Sequence, residues 1–191
     1  MIFRFDGISL VSTMHYRSQR GYSFITAIAD TGCTVTYIGF NSLCKLLGKR
    51  SEEEVEKLRS SLSDLSSNYY GHSGNANGVK DTVVRAVVKN VILDKDGCNM
   101  WIPQLRCRVN LNDSPSEIPY ILMGLDFLYS FESCLLDKSG FTCNSFDSYN
   151  YNKRVNEVME NSVKVYFAED DAASGRTGIS NLLRMAGGDL I

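Results

Sequence analysis

The feature that most constrains this chain is an apolar, β-branched stretch over residues 25–38 that is interrupted by a carboxylate. The first run ends at Asp30-Thr31-Gly32, and a second run of β-forming residues resumes at Val35. Runs of this composition predict buried strands. A carboxylate at the end of a buried strand costs solvation free energy unless it is hydrogen-bonded or paired. Gly32 permits a tight turn beside Asp30, and the Thr31 hydroxyl can brace that turn.

A second stretch, residues 121–128, reads Ile-Leu-Met-Gly-Leu-Asp-Phe-Leu and predicts a strand that ends in glycine and leads into a short helix. Together the two stretches resemble the retropepsin-like aspartic proteases. In that family the active-site loop is hydrophobic-Asp-Thr/Ser-Gly-Ala/Ser, followed later by Ile/Leu-Leu-Gly-x-Asp-x-Leu. The Gly-Leu-Asp-Phe-Leu form at 124–128 resembles the cellular and prokaryotic branch more than the viral enzymes, which have Arg after the Gly. The resemblance implies a mostly β fold, a closed β-barrel that forms half of an active site, with short helices.

The resemblance also implies a chemistry. Two carboxylates hold one water molecule, share one proton and hydrolyse a peptide bond by general acid–base catalysis. The chain has a single Asp-Thr-Gly, so Asp30 would be the catalytic residue in each subunit of a homodimer acting on a polypeptide, without a cofactor. Thr31, Gly32 and Cys33 would form the active-site loop, in which Gly32 lets the substrate backbone approach.

Departures from the family pattern leave an alternative open. Cys33 stands where the family has Ala or Ser, and Thr34 and Leu125 stand where viral members have an ion pair. A catalytically inactive module for dimerisation or protein binding is therefore the alternative function, and a plain β-domain with a chance Asp-Thr-Gly is a third interpretation. Gly124 and Asp126 are expected to be structural residues near the site, with Asp126 capping the short helix that it begins.

Residues 68–78 are rich in glycine and asparagine beside two tyrosines, which favours tight reversals of the chain. In the family that it resembles, this region contributes to a flap that closes over the substrate. An exposed loop without a catalytic part is the competing interpretation. His72 is interpreted as a loop histidine and not as a metal ligand. The candidate flap residues are Tyr70, Gly71, His72, Ser73 and Gly74.

The remaining patterns predict further strands and helices. Strands are expected over 2–14, 22–29, 82–88, 91–93, 99–109, 134–137 and 141–143, with a polar turn over 15–21. Helices are expected over 43–48, over 127–131 and after Ser51, where Ser-Glu-Glu-Glu is typical of a capping box and Val55, Leu58, Leu62 and Leu65 follow at helical spacing.

The chain is expected to divide into a retropepsin-like domain, residues 1–143, and a C-terminal extension, residues 144–191. A helix over 152–161 and a strand over 163–167 are expected in the extension. An acidic stretch over 169–178 is typical of a flexible linker, and a short amphipathic segment follows over 179–185. The segments 2–10 and 163–167 are the two candidates for pairing across a dimer axis, and packing of the extension on its own subunit is the alternative.

Composition excludes several classes of function. The 191 residues are 43% hydrophobic and 22% charged, with a formal net charge of −2, which gives no reason to expect nucleic acid or a membrane as partner. Arg4 and Asp6 interrupt the first apolar stretch, which is typical of neither a signal peptide nor a membrane span. The six cysteines form no Cys-x-x-Cys pair, and there are two histidines, so a metal site is not expected. Reduced thiols in a cytoplasmic protein are the simplest interpretation.

Overall fold

The computed structural model describes residues 3–7, 9–18, 21–66, 70–74, 80–95, 98–113, 118–159 and 163–165. Strands dominate these residues, and the prediction of a mostly β fold is confirmed. The strands are β1 (Arg4–Asp6), β2 (Ser9–Ser18), β3 (Gly21–Ala29), β4 (Tyr37–Gly39), β5 (Tyr70–Gly74), β6 (Lys80–Lys95), β7 (Cys98–Asn110), β8 (Tyr120–Met123), β9 (Phe131–Asp137), β10 (Gly140–Phe146) and β11 (Val163–Val165). The helices are α1 (Phe40–Leu46), α2 (Glu52–Ser66), α3 (Leu125–Leu128) and α4 (Ser148–Met159).

The N-terminal region differs from the predicted single strand over 2–14. Gly7, at φ +69°, supplies a left-handed backbone that only glycine adopts cheaply, and the chain reverses there between β1 and β2. The predicted polar turn over 15–21 is wrong at its start, because β2 continues to Ser18. The side chains of Met14 and Tyr16 lie in the core on the same face of the strand, although a polar residue stands between them in the sequence. Their burial stabilises this half of β2.

One large sheet carries the strands that position the turn at residue 30. β3 runs parallel to β8, and β4 inserts between β8 and β7, antiparallel to the first and parallel to the second. β6 and β7 form a long antiparallel hairpin, and β6 also pairs with β2, which in turn pairs with β3. The hydrogen-bonded path therefore runs β2–β3–β8–β4–β7–β6 and returns to β2.

The two strands predicted over 82–88 and 91–93 are one continuous strand, β6. Asn90 has φ +56°, a conformation that asparagine tolerates better than most residues. Before Asn90 residues of both parities, such as Val87 and Val88, are buried, whereas after it Val91 is buried and Ile92 only partly so. The strand pairs with β11 before Asn90 and with β2 after it.

Helix α2 begins at Glu52, directly after Ser51, where the sequence predicts a capping box. The Ser51 hydroxyl accepts a hydrogen bond from the Glu54 backbone N–H at 3.2 Å, and a Glu54 carboxylate oxygen accepts the Ser51 N–H at 3.1 Å. This reciprocal pair is a capping box, and it satisfies two backbone donors that the helix itself cannot. Leu58 and Leu62 are buried against the core, whereas the side chain of Leu65 lies outside the described residues.

The chain beyond residue 143 continues in the same packed structure. β10 runs to Phe146, and α4 begins earlier than expected, at Ser148. Tyr151 of α4 is 2% exposed and joins the main core. β11 lies parallel to β6 of its own chain, at Val163↔Ala86 to Val165↔Val88, as the alternative of packing on its own subunit predicts. The expectations for residues 166–191 lie outside the described residues. In the described part of the chain, no helix combines the length and apolar character that crossing a membrane requires.

Candidate active site

Asp30 follows the last residue of β3, at the carboxyl end of two parallel strands. Ala29 pairs with Met123 of β8, and the Asp30 backbone N–H donates to the Met123 carbonyl at 3.1 Å. The Asp30 side chain is half-buried, and its Oδ1 accepts the Gly32 N–H at 2.8 Å. A Cβ on Gly32 would lie only 3.1 Å from that oxygen, so glycine lets the turn close tightly around the carboxylate. The turn therefore holds Asp30 in a defined position while its side chain keeps access to solvent.

The remaining members of the predicted loop lie around the same turn. Thr31 and Gly32 lie at its tip, and Thr31 is exposed. The Cys33 backbone N–H donates to the Asp30 carbonyl at 3.2 Å, and the Cys33 thiol donates to the Val35 carbonyl at 2.9 Å. Burial raises the pKa of the Cys33 thiol, and the nearby carboxylates of Asp30 and Asp126 raise it further. Cys33 is therefore held as a neutral thiol that braces the loop.

The glycine-to-helix element after β8 lies directly against this loop. The first backbone N–H groups of α3 have no hydrogen-bond acceptor within the helix, and carbonyl groups of the loop accept their hydrogen bonds instead. The Leu125 N–H donates to the Cys33 carbonyl at 2.8 Å, and the Asp126 N–H donates to the Thr34 carbonyl at 3.2 Å. Gly124 makes this approach possible, since a Cβ there would lie 2.5 Å from the Val35 carbonyl carbon. The two motifs that the sequence singled out are thus one structural unit.

The expected capping role of Asp126 is wrong. The N-cap position of α3 is Gly124, and no side-chain hydrogen bond caps the helix. The Asp126 carboxylate instead turns towards the loop, because the loop carbonyls already satisfy the helix donors. Its Oδ1 accepts the backbone N–H and the hydroxyl of Thr36, both at 2.8 Å, and its Oδ2 accepts Arg106 Nη2 at 3.2 Å. Asp126 therefore ties the end of the Asp30 loop to β7.

Thr36 and Arg106 are residues of this unit that the sequence reasoning missed. Thr36 is fully buried, its hydroxyl accepts the Gly124 N–H at 3.2 Å, and its carbonyl accepts the Arg108 N–H at 2.8 Å. Thr36 lies six positions after Asp30 and is flanked by valine and tyrosine. A polar residue in such an apolar run needs a hydrogen-bond partner when it is buried, and this requirement was a usable signal in the sequence.

The candidate flap residues Tyr70, Gly71, His72, Ser73 and Gly74 form β5. Their backbones pair antiparallel with β6, from Tyr70↔Val84 to Gly74↔Lys80. The residues predicted to contribute to the flap are therefore a strand paired with β6, and residues 75–79 lie outside the described residues, as do the β5 side chains. Among the described residues, no group of three or more His, Cys, Asp or Glu side chains is arranged to hold a metal ion.

Comparisons with known proteins give a weak structural similarity. No protein-family model and no curated protein matches this chain. Among solved structures, the chain is similar to the crystal structure of a retropepsin-like aspartic protease from Rickettsia conorii. The sequences are 17% identical, and the match covers 72% of this chain and 83% of that chain with a TM-score of 0.40. A similarity of this size carries no argument about function, so the support for a function has to come from the geometry of the Asp30 loop.

Proposed function

We propose that this chain is an aspartic endopeptidase of the retropepsin type, with one catalytic Asp30 contributed by each subunit of a homodimer. The observation that carries the proposal is the half-buried Asp30 carboxylate in a turn braced by Gly32 and hydrogen-bonded to the element that follows β8. A nucleophile or a general base needs such a fixed position to act on a bound substrate. A chance Asp-Thr-Gly in a surface turn would not be supported from two separate parts of the chain.

The chemistry follows from placing two Asp30 carboxylates side by side. They cannot both be ionised at short distance, so the pair holds one proton. The ionised carboxylate takes a proton from a water molecule, whose oxygen attacks the peptide carbonyl carbon. The protonated carboxylic acid donates to the carbonyl oxygen. Collapse of the tetrahedral intermediate breaks the C–N bond, and a proton from the dyad goes to the amine that leaves.

The homodimer is supported by an exposed edge strand. In the described residues, β9 pairs with β10 alone, and its Leu135 and Leu136 are 62% and 59% exposed. An exposed edge with adjacent leucines is a surface that a second strand can cover. A second copy of this chain is the occupant that the chemistry requires, because one subunit supplies one Asp30.

The other parts of the proposal concern substrate enclosure and the fold. The β5–β6 hairpin would act as the flap over a bound polypeptide, and Thr31 and Gly32 would face that polypeptide from the opposite side. The pairing path that returns from β6 to β2 supports a closed β-barrel. Residues 1–143 would hold the catalytic machinery in a cytoplasmic protein, while the extension from residue 144 contributes Tyr151 to the core.

The Asp30→Asn variant tests the catalytic assignment. Asparagine keeps the size of the side chain but cannot act as the acid or the base, so we expect an unchanged fold and at least a thousandfold (~10³) loss of peptide cleavage. Cleavage of a quenched fluorescent peptide library and circular dichroism measure the two properties. Asp6→Asn, an exposed carboxylate on β1, is the matched control and should cleave like the wild type.

Two results would contradict the proposal. Cleavage by Asp30→Asn near the wild-type rate would remove Asp30 from the chemistry. A wild-type protein that forms a dimer but cleaves no member of the library would favour the alternative function, an inactive module for dimerisation or protein binding.

A further inference from the structure

We propose that Arg106 is a positioning residue for the Asp30 loop and that Tyr151 of α4 holds Arg106 in place. The inference rests on the proposed function for its catalytic consequence, but its structural part can be tested without any activity. The proposed role in the active site extends to β7 and to α4, neither of which contributes a residue to the Asp-Thr-Gly motif.

The first step concerns the positive partner that the largely buried Asp126 carboxylate requires. Its side chain is 7% exposed, and a charge removed from water to this extent requires a partner and hydrogen bonds. Thr36 supplies two hydrogen bonds to one oxygen, and Arg106 supplies the positive charge 3.2 Å from the other. The Arg106 side chain is itself 26% exposed, so the pair is shielded from solvent mainly on the Asp126 side.

The second step is the path from Asp126 to Asp30. Asp126 holds Thr36, and the Thr36 hydroxyl accepts the Gly124 N–H. Between Thr36 and Asp30, the carbonyls of Thr34 and Cys33 accept hydrogen bonds from N–H groups of α3. The Cys33 N–H donates to the Asp30 carbonyl. Loss of the Arg106 charge would leave the largely buried Asp126 carboxylate without its cation, which favours movement of that carboxylate towards water. This movement loosens the bonds to Thr36 and hence the loop.

The third step is what fixes Arg106. Its backbone N–H donates to the Tyr151 hydroxyl oxygen at 3.0 Å. Tyr151 is 2% exposed and packs edge-on against Phe127 of α3 at a ring-centroid distance of 5.9 Å. Tyr151 also contacts Phe146 at 5.5 Å, so α4 is anchored to the same aromatic cluster. Helix α4 is thus connected through Arg106 and Asp126 to the Asp30 loop.

The experiment measures the loop directly through Cys33. Arg106→Met removes the charge but keeps most of the aliphatic stem, Arg106→Lys restores a positive charge, and Arg85→Met removes an exposed arginine of β6 as the matched control. Iodoacetamide labelling of each cysteine is followed by peptide mass spectrometry. Cys44 and Cys107 serve as internal references, since burial raises their pKa values to about 11 and about 12. We expect Cys33 to label about tenfold faster in Arg106→Met, with the references unchanged, and Arg106→Lys to recover part of the protection.

The kinetic readout separates positioning from a merely structural role. In the same variants we expect Arg106→Met to lower kcat by about tenfold to a hundredfold with little change in KM, because the substrate still binds but Asp30 is misplaced. Tyr151→Phe removes the hydroxyl that accepts the Arg106 N–H but keeps every charge and ring contact. We expect it to raise the Cys33 labelling rate and lower kcat by less than Arg106→Met does. If Arg106→Met does not fold, Tyr151→Phe tests the positioning role.

The outcomes distinguish this inference from the proposed function. Cys33 labelling at the wild-type rate in folded Arg106→Met and in Tyr151→Phe would overturn the inference, whether or not the protein is a protease. Faster labelling with unchanged kcat would also overturn the positioning role. Absence of cleavage by the wild type would contradict the proposed function alone, because the labelling result does not depend on catalysis.

Discussion

At the scale of single residues, Gly124 is a position where the backbone of the Asp30 loop leaves no room for a side chain. Its backbone is extended, at φ −80°, so any residue could adopt it, but a Cβ would lie 2.8 Å from the Thr36 nitrogen and 2.5 Å from the Val35 carbonyl carbon. Both contacts are backbone atoms that cannot rotate away. The requirement for glycine is therefore one of space and not of conformation.

We expect Gly124→Ala to lower the free energy of unfolding by about 3 kcal/mol, because the loop must be pushed off the helix. Gly7→Ala is the control, since Gly7 has φ +69° and a Cβ there would meet no atom within 4 Å, so we expect a cost of about 1 kcal/mol from the backbone alone. Urea denaturation measures both. Equal losses in the two variants would contradict the close approach described for Gly124.

The sequence predicted the residues of this site that lie within local motifs, such as Asp30, Gly32 and Gly124. It did not predict the partners of Asp126, because Thr36 lies 90 positions away and Arg106 lies 20 positions away on another strand. A carboxylate beside a short helix favours a cap on local grounds. The long-range pairing overrode that preference, and one sequence contains no signal that specifies it.

At the scale of elements, helical spacing of apolar residues predicted α2, and two short runs of β-forming residues around a turn predicted β9 and β10. Such local patterns failed at β2, where polar residues such as His15 and Arg17 alternate with buried ones in a strand between two neighbours. They also failed at Asn90, where polar residues suggested a break but the strand pairing continues on both sides. Pairing with neighbouring strands holds these segments, and the neighbours come from distant parts of the chain.

The β9–β10 hairpin carries a pair of cysteines that we expect to be sensitive to oxidation. Cys134 and Cys143 are opposite one another in the register, with their sulfur atoms 3.3 Å apart. With glutathione disulfide, the exposed Cys134 thiolate would form a mixed disulfide and release one glutathione. The Cys143 thiolate would then attack the Cys134 sulfur and release the second. Burial, together with the hydrogen bond shared with Cys134, raises the pKa of Cys143, so the second step should become faster as pH rises.

Peptide mass spectrometry of the non-reduced protein measures this disulfide as a loss of about 2 Da from the linked peptides. The control is Cys134→Ser, in which no internal disulfide can form at the hairpin. Persistent glutathione on Cys134 without transfer to Cys143, even at high pH, would show that the two sulfur atoms do not approach in solution.

At the scale of the whole molecule, the proposed dimer has one half of the site in each chain, and β9 is the proposed surface for joining the halves. Leu136→Lys places a charge on that exposed strand, and we expect it to weaken the dimer at least tenfold, roughly 1.4 kcal/mol, because the charge would be desolvated at the interface. Sedimentation velocity over a dilution series measures the dissociation constant. Tyr149→Lys is the control, since Tyr149 is 76% exposed on α4. An unchanged dissociation constant in Leu136→Lys would exclude β9 from the interface.

The measurement that tests the shared site most directly is the activity of mixtures of wild-type and Asp30→Asn chains at constant total concentration. After exchange of subunits, verified by native mass spectrometry, only dimers with two Asp30 carboxylates should cleave. We expect activity to fall with the square of the wild-type fraction, to about one quarter in an equal mixture. A fall in simple proportion, to about one half, would show that each chain carries a complete site and would contradict the account.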